Sequence, residues 1–494
     1  MKSPVPAALA SLILPLLCTG AQISPAEDLP TSPSATWRPN NTSTYQLDLK
    51  SSPRKYPHTD PNKVYALYEL IDIAEEQNPA TRVSWNRLKQ AAANLGVAKS
   101  ALYPTLALNV PAIQERAFLV FPNVLLPILK ADSERMDVTT VNPVLRLNYL
   151  IFDFGERRGA IDAAHANLFV SGTALNDTHE RIALQVTTSY YGVLSAKGLV
   201  DAARASLKDA EASERSVQDR LNQGLATLPN LLNAKAQLQQ ATYTLENSTG
   251  TEEIATSKLA QSVGLDPTST LKIKNMTDAP ERSELEDSVE QLIDHALIQR
   301  PDLLEQVGQI RVADAEIKEA RSALYPTVKA QAQGGYDSMR TVTNAGPTPY
   351  IHQGNWQAQV SLSWTIFDAR RRRYRIIEAE ARKRVAQQEL NSLRDLATNE
   401  VWSSYISSKV AFRRLDTSKV LLNAAQTSYD AALASFDRGL ATYVDVVTAE
   451  QALAQARNEQ VQAETQVMTD LAQLAYRTGD LLGSRFLKAN RNAK

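Results

Sequence analysis

Trp356, Ala358, Val360, Leu362, Trp364 and Ile366 are apolar, while Gln357, Gln359, Ser361, Ser363 and Thr365 between them are polar. A period of two predicts a strand with one oily and one wet face. Val141, Pro143, Leu145, Leu147, Tyr149 and Ile151 set the same odd-position stripe beside Asn142, Arg146 and Asn148. Each run is about ten residues, enough to cross a bilayer when tilted. Residues 153–223 and 368–438 are instead free of proline and poor in glycine. At 1.5 Å per residue each stretch predicts roughly 100 Å of helix, far beyond the usual helix of a globular domain.

These elements occur twice. The phrase SALYPT stands at 100–105 and again at 322–327, with Asn78-Pro79 and Arg300-Pro301 upstream at one common offset of 222. Each NP or RP opens a helix that should run to Tyr103 or Tyr325, where Pro104 or Pro326 stops it and a strand begins. The strands end in Ile151-Phe152-Asp153 and Ile366-Phe367-Asp368, now offset by 215, so the first strand connection is the longer. Each long helix then reaches Gly-Leu-Ala-Thr, at Gly224-Leu225 and Gly439-Leu440, and a new helix rich in Ala, Gln and Leu follows. Glycine there supplies the left-handed backbone that ends a helix. The expected fold is mainly α with a membrane β-barrel portion. The repeats are placed at 62–280, with strands at about 104–153, and at 281–482, with strands at about 326–368.

Composition narrows the class. With 53 Lys+Arg against 54 Asp+Glu, the chain offers no excess of positive charge to a nucleic acid. Lys2, an apolar run from Ala7 to Leu17 and small residues to Ala21 have the layout of a secretory leader, residues 1–21. Cys18, the one cysteine, lies inside it, so the mature chain is expected to hold no thiol; a lipid attachment site at Cys18 is the other reading, against which Leu17 is too large for the usual lipoprotein signal. Residues 22–61 are rich in Pro, Ser and Thr and read as an extended lead-in, and 483–494 as a polar tail. The stretch 118–130 is too short, and too broken by Pro122 and Pro127, for a membrane helix. An exported chain of this kind enters a membrane by strands.

Two repeats give four membrane-length strands, which cannot close a barrel, and open edges in lipid cost several kcal/mol per unpaired group. The chain is expected to oligomerise, and three copies would supply twelve strands. The doubled NP/RP…SALYPT helix, the doubled IFD and the doubled GLAT leading to NLLNAKAQL and DVVTAEQAL together resemble the TolC-like outer membrane efflux proteins, over about residues 62–482. The resemblance implies a homotrimer in the outer membrane of a Gram-negative-type bacterium. It implies a twelve-stranded barrel continued by a periplasmic helical tunnel that meets an adaptor and an inner-membrane pump. It implies efflux or type I secretion, with the cargo chosen by pump and adaptor. It also puts Gly224, Leu225, Gly439 and Leu440 at adaptor-contacting tips and a constriction at Asp445. Thr448 stands where some members carry a second acid, and Ala441 where some carry a basic or polar residue.

Plainer roles stand beside these. Asp445 can be a helix-capping carboxylate, and the two glycines simple C-caps. Arg370 to Arg373, echoed by Arg157 and Arg158, can meet lipid phosphates or form a solvated helix face. Tyr103, Pro104, Asp153, Tyr325, Pro326 and Asp368 mark the helix–strand junctions, and Trp356, Val360, Leu362 and Trp364 the lipid-facing stripe. The five histidines lack metal-ligand spacing, and no nucleophile or phosphate-loop motif occurs, so neither enzyme nor cofactor chemistry is expected. The alternative is a long-helix structural or adhesive envelope protein without a conduit, which leaves the amphipathic strands without a purpose.

Overall fold

The computed structural model describes residues 62–120, 133–269, 271–275, 288–343 and 346–482, with Tyr56 and Asp60. The expected leader with Cys18, nearly all of the lead-in and the tail from 483 lie outside the described residues. The elements below belong to the unit His58–Lys494. In chain order they are β1 (Val64–Tyr65), α1 (Leu67–Gln77), α2 (Pro79–Ser100), β2 (Thr105–Asn109), β3 (Ala112–Val120), β4 (Ser133–Val141), β5 (Val144–Phe152), α3 (Glu156–Asn222) and α4 (Leu228–Val263). There follow β6 (Lys272–Ile273), α5 (Val289–Gln299), α6 (Pro301–Ser322), β7 (Thr327–Thr343), β8 (Gly346–Pro347), β9 (Ile351–Ser363), α7 (Arg371–Asp437) and α8 (Tyr443–Arg477). Helices α1 and α2 return as α5 and α6 at an offset of 222, and α3 returns as α7 at 215, each of the latter pair 67 residues long.

Asn78 caps α2 through its side-chain oxygen, which accepts the Ala80 N–H, and Pro79 opens the helix with a φ already suited to it. Arg300 holds the same place before α6 without a side-chain cap. The long helices are sealed mid-length by Ile182, Val186 and Tyr190 of α3 against Leu70 of α1, Leu259 and Val263 of α4, Phe412 and Leu415 of α7 and Leu471 of α8. A second core near the far ends joins Val217, Leu231, Tyr429, Phe436, Val446 and Leu453. Small residues let these backbones approach, and buried hydroxyls return to their own helix: Thr187 Oγ1 donates to the Ala183 carbonyl at 2.7 Å.

The six larger strand segments make four long antiparallel strands in an up-and-down order. The first is β2 with β3, the second β4 with β5, the third β7 and the fourth β9. The expected stripe from Val141 to Ile151 is not one strand, because β4 ends at Val141 and β5 starts at Val144. Pro143 has no N–H to give, and Pro111 breaks the neighbouring strand at the same level. The Asn142 N–H donates to the Pro111 carbonyl, and the Tyr336 N–H to that of Pro143. Gly335 lies against this break, where a Cβ would meet the Pro143 carbonyl at 2.9 Å.

Two further expectations change. The strands exceed ten residues, β7 reaching 17, so part of the sheet extends past the hydrocarbon thickness at about 3.3 Å per residue. Strand β9 stops at Ser363, leaving Trp364 and Ile366 beyond the ladder, since Ser363 pairs with Thr327 and the next partner would be Pro326, which cannot donate. Helices α2 and α6 likewise end at Ser100 and Ser322, with Ala101 and Ala323 as C-caps, three residues before each tyrosine. One tight turn separates helix end from proline.

Candidate functional site

The register sorts the sheet into two faces. Leu108, Leu145, Gly334 and Trp356 form one row across the strands, Leu106, Leu147, Ala332 and Ala358 the next, and Tyr149, Ala330 and Val360 a third. The opposite face carries Ala107, Arg146, Gln333 and Gln357, then Thr105, Asn148, Gln331 and Gln359, then Leu150, Lys329 and Ser361. Trp356 is 84% exposed, Val360 71% and Leu362 67%, because no other part of the described chain covers the apolar face. An apolar face of this size is a surface for lipid or a partner. Trp364 stands apart from this stripe: its indole N–H donates to the Leu324 carbonyl at 3.1 Å, tying the end of the last strand to the SALYPT turn.

The helix–strand junctions are built alike in both repeats. Asp153 accepts the Gly155 and Arg157 backbone N–H groups at 3.2 and 2.9 Å and the Arg157 Nε at 2.8 Å. The same guanidinium donates to the Ala101 carbonyl at the end of α2 and to the Ile151 carbonyl at the end of β5. Offset by 215, Asp368 accepts the Arg372 N–H and Nε at 3.2 and 2.7 Å, and Arg372 Nη1 donates to the Ala323 carbonyl. One arginine therefore ties the strand end, the long helix and the short helix. Chain reversal runs through left-handed residues, Phe154 in the first repeat and Ala369 and Arg370 in the second, which cost about 1–2 kcal/mol each and which the carboxylate bonds hold in place. Tyr325 stacks on Phe154 with ring centres 4.9 Å apart, while Tyr103 is exposed. Sequence reasoning passed over the two Asp–Arg clamps, although DFGER and DARRR carry Asp-x-x-x-Arg at the same offset as the long helices.

At the other end of α3 and α7 the hairpin tips lie side by side. Gly224 and Gly439 have φ of +70° and +77°, and behind them the Leu225 and Leu440 N–H groups donate to the Arg220 and Ser435 carbonyls. Both leucine side chains are exposed. Arg220 Nη1 donates to the Asp437 carbonyl and its guanidinium covers the Phe436 ring at 4.7 Å, joining the tips.

Asp445 accepts the Thr442 N–H at 2.8 Å and the Thr442 hydroxyl at 2.7 Å, the reciprocal half of a capping box that opens α8. These two bonds hold its carboxyl below the ordinary range. Asp445 and Thr448 share the exposed side of α8, and Ala441 is half-buried just before it. On the buried side, one Glu450 carboxylate oxygen has no hydrogen-bond partner. Burial first, and the charge of Asp209 second, push Glu450 up to about 7. Asp209 itself is taken by Arg457, whose Nη1 lies 2.6 Å away. Glu180 is likewise raised to about 7 by burial, against the Leu481 and Leu482 N–H groups that donate to it. Nothing in the local pattern of Ala, Gln and Glu marked either acid as buried.

The described residues hold no cluster of His, Cys, Asp or Glu suited to a metal, and none of their helices is long and apolar enough to cross a membrane. A family profile described as outer membrane efflux protein matches residues 70–265 and 292–480, both repeats. The chain belongs to the outer membrane efflux protein family. Its place is accordingly the outer membrane, and the TolC-like resemblance in its repeated motifs holds. Family relatives include Protein CyaE of Bordetella pertussis (strain Tohama I), 28% identical over 320 residues, 64% of this chain and 63% of CyaE. Another is Outer membrane protein TolC of Escherichia coli (strain K12), 23% identical over 403 residues, 80% of this chain and 78% of TolC. The aligned stretch thus spans less than two thirds of CyaE's length. In fold, the CmeC outer membrane channel of Campylobacter jejuni superposes with a TM-score of 0.71 at 16% identity, covering 94% of this chain and 98% of CmeC. The family is one of channels, with no catalytic activity indicated.

Proposed function

We propose that the chain is one subunit of a trimeric outer membrane conduit serving efflux or type I secretion, and not an enzyme. One observation carries this reading: among the described residues the four long strands leave two free edges, β9 on one side and β2 with β3 on the other, on a sheet that is oily on one face and polar on the other. Pairing the last strand of each copy with the first of the next satisfies both edges and closes twelve strands around the polar face. Trp356, Val360 and Leu362 then face lipid, and the junction aromatics Tyr103, Tyr325 and Trp364 sit at the inner interface. Helices α3, α4, α7 and α8 continue the conduit into the periplasm. The tips at Gly224, Leu225, Gly439 and Leu440 meet an adaptor linked to an inner-membrane pump. Asp445 and Thr448, with Ala441 before them, line the narrow end. A carboxylate that already caps its own helix can still present its outer side to the lumen, so both roles suit Asp445.

Disulfide scanning tests the closure. With Cys18 in the expected leader as the sole native cysteine, paired cysteines at Thr105, Ala107 or Asn109 and at Gln357, Gln359 or Ser361 report only on the edges. Within one chain those edges stand three strand spacings apart, about 14 Å, too far for a disulfide. Dimers and trimers on non-reducing gels, formed only when both edges carry a cysteine, are expected. A scan that yields monomers at every pairing would overturn the proposal.

A further inference from the structure

The polar face of the sheet holds a group that closure alone does not require. Arg146 lies in a shallow pocket with Asn148, Gln331, Gln333, Gln357 and Gln359, and no carboxylate is among its lining residues. Gln333 is the direct cross-strand partner of Arg146, and Gln357 continues that row. The amides form a directed chain: Gln333 Nε2 donates to Gln357 Oε1 at 3.2 Å, Gln357 Nε2 to Gln359 Oε1 at 3.5 Å, and Gln359 Nε2 to Gln331 Oε1 at 2.6 Å. Three amide oxygens are therefore engaged, while each amide keeps at least one N–H. What remains open around the guanidinium is mostly donor, which is the chemistry of an anion site. The nearest acid along β7 on this face is Asp337, four residues from Gln333, and it accepts a bond from Asn355 Nδ2 at 2.6 Å. That spacing is about 13 Å, beyond a Debye length at physiological salt.

We propose that Arg146 and the surrounding amides form an anion-selecting belt in the barrel wall, favouring small anions and the carboxylate or phosphate groups of cargo. The proposal rests on the trimeric conduit, in which three copies place three guanidiniums at one level of the lumen. That level is seven residues up β5 from Asp153, about 23 Å along the strand from the junction, far from the acids of the helix tips. A ring of like charge within low-dielectric walls focuses its field on whatever passes.

Reversal potentials of the purified trimer in a planar bilayer under a KCl gradient test this. Arg146→Gln should lower the chloride-to-potassium permeability ratio by about twofold or more, and Arg146→Lys should keep it near wild type. Gln333→Glu, which sets a carboxylate against the intact guanidinium, should lower the ratio in the same sense and gives a second readout if Arg146→Gln assembles poorly. Open channels whose ratio is the same in wild type, Arg146→Gln and Gln333→Glu would overturn the belt and leave the conduit standing. Wild-type trimer that passes no current would remove the conduit and the belt together.

Discussion

A single side chain on the sheet counts by face and by depth. Taking Ser363 and Pro326 as the inner edge of the hydrocarbon, its midplane lies about 15 Å higher, which on a tilted strand is near Ala358. Ala358→Arg should therefore cost about 2–4 kcal/mol and lower assembled trimer, whereas Leu362→Arg, next to the interface, should cost about 0–1 kcal/mol. Gln359→Arg, on the other face, should change conductance and leave trimer yield alone. Heat resistance of the trimer in detergent checks all three, and equal losses would contradict the assigned faces. Glu450 makes the matching prediction in the helical part. Its folded value of about 7 lies above the ordinary 4.5, so the fold holds this proton more tightly than the unfolded chain does. The fold is then at its best below pH 4.5 with respect to this group and loses stability as pH rises towards 7. Glu450→Gln should remove that loss, gaining on the order of 2–3 kcal/mol at pH 8 and little at pH 4. Melting temperatures at the two values decide it, and a variant less stable than wild type at pH 8 would contradict the burial argument.

Among elements, the repeated SALYPT turn has two devices where the sequence pattern showed one. Pro104 and Pro326 start the strands, but α2 and α6 already end at the alanine C-caps, whose carbonyls accept from Arg157 and Arg372. Each of these guanidiniums also holds the carboxylate that ends the strand, so losing one frees three segments at once. The double change Arg157→Ala with Arg372→Ala should therefore reduce trimer yield more than Pro104→Ala with Pro326→Ala, and each single change should be milder. Pulse-labelled assembly in whole cells separates the two pairs, and a reversed order would return the boundary to the prolines. Long elements with strong periods were legible in the residues: both 67-residue helices, the left-handed glycines at the tips and the oily stripe from Trp356 to Leu362. What escaped was set by contacts between distant segments. The clamps join residues 56 and 49 positions apart, and the break at Asn142-Pro143 comes from Pro143 meeting Pro111 of the neighbouring strand at one level, with no change of local period to show it.

For the molecule as a whole, the internal repeat makes half of a problem that only copies can solve. Each chain builds a helical body with cores of its own at mid-length and near the tips, yet among the described residues nothing covers either face of its sheet or joins its edges. A structural envelope protein made of the same helices has no use for a polar face of Gln, Asn and Arg opposite an oily one, whereas a conduit needs both. The most direct measurement is single-channel recording of the purified protein in a planar lipid bilayer. The account predicts discrete, long-lived conductance steps that appear with trimer and are absent from preparations whose edge strands have been blocked from pairing. Protein that inserts stably into the bilayer as a trimer and yet passes no ions, under any applied voltage, would contradict it.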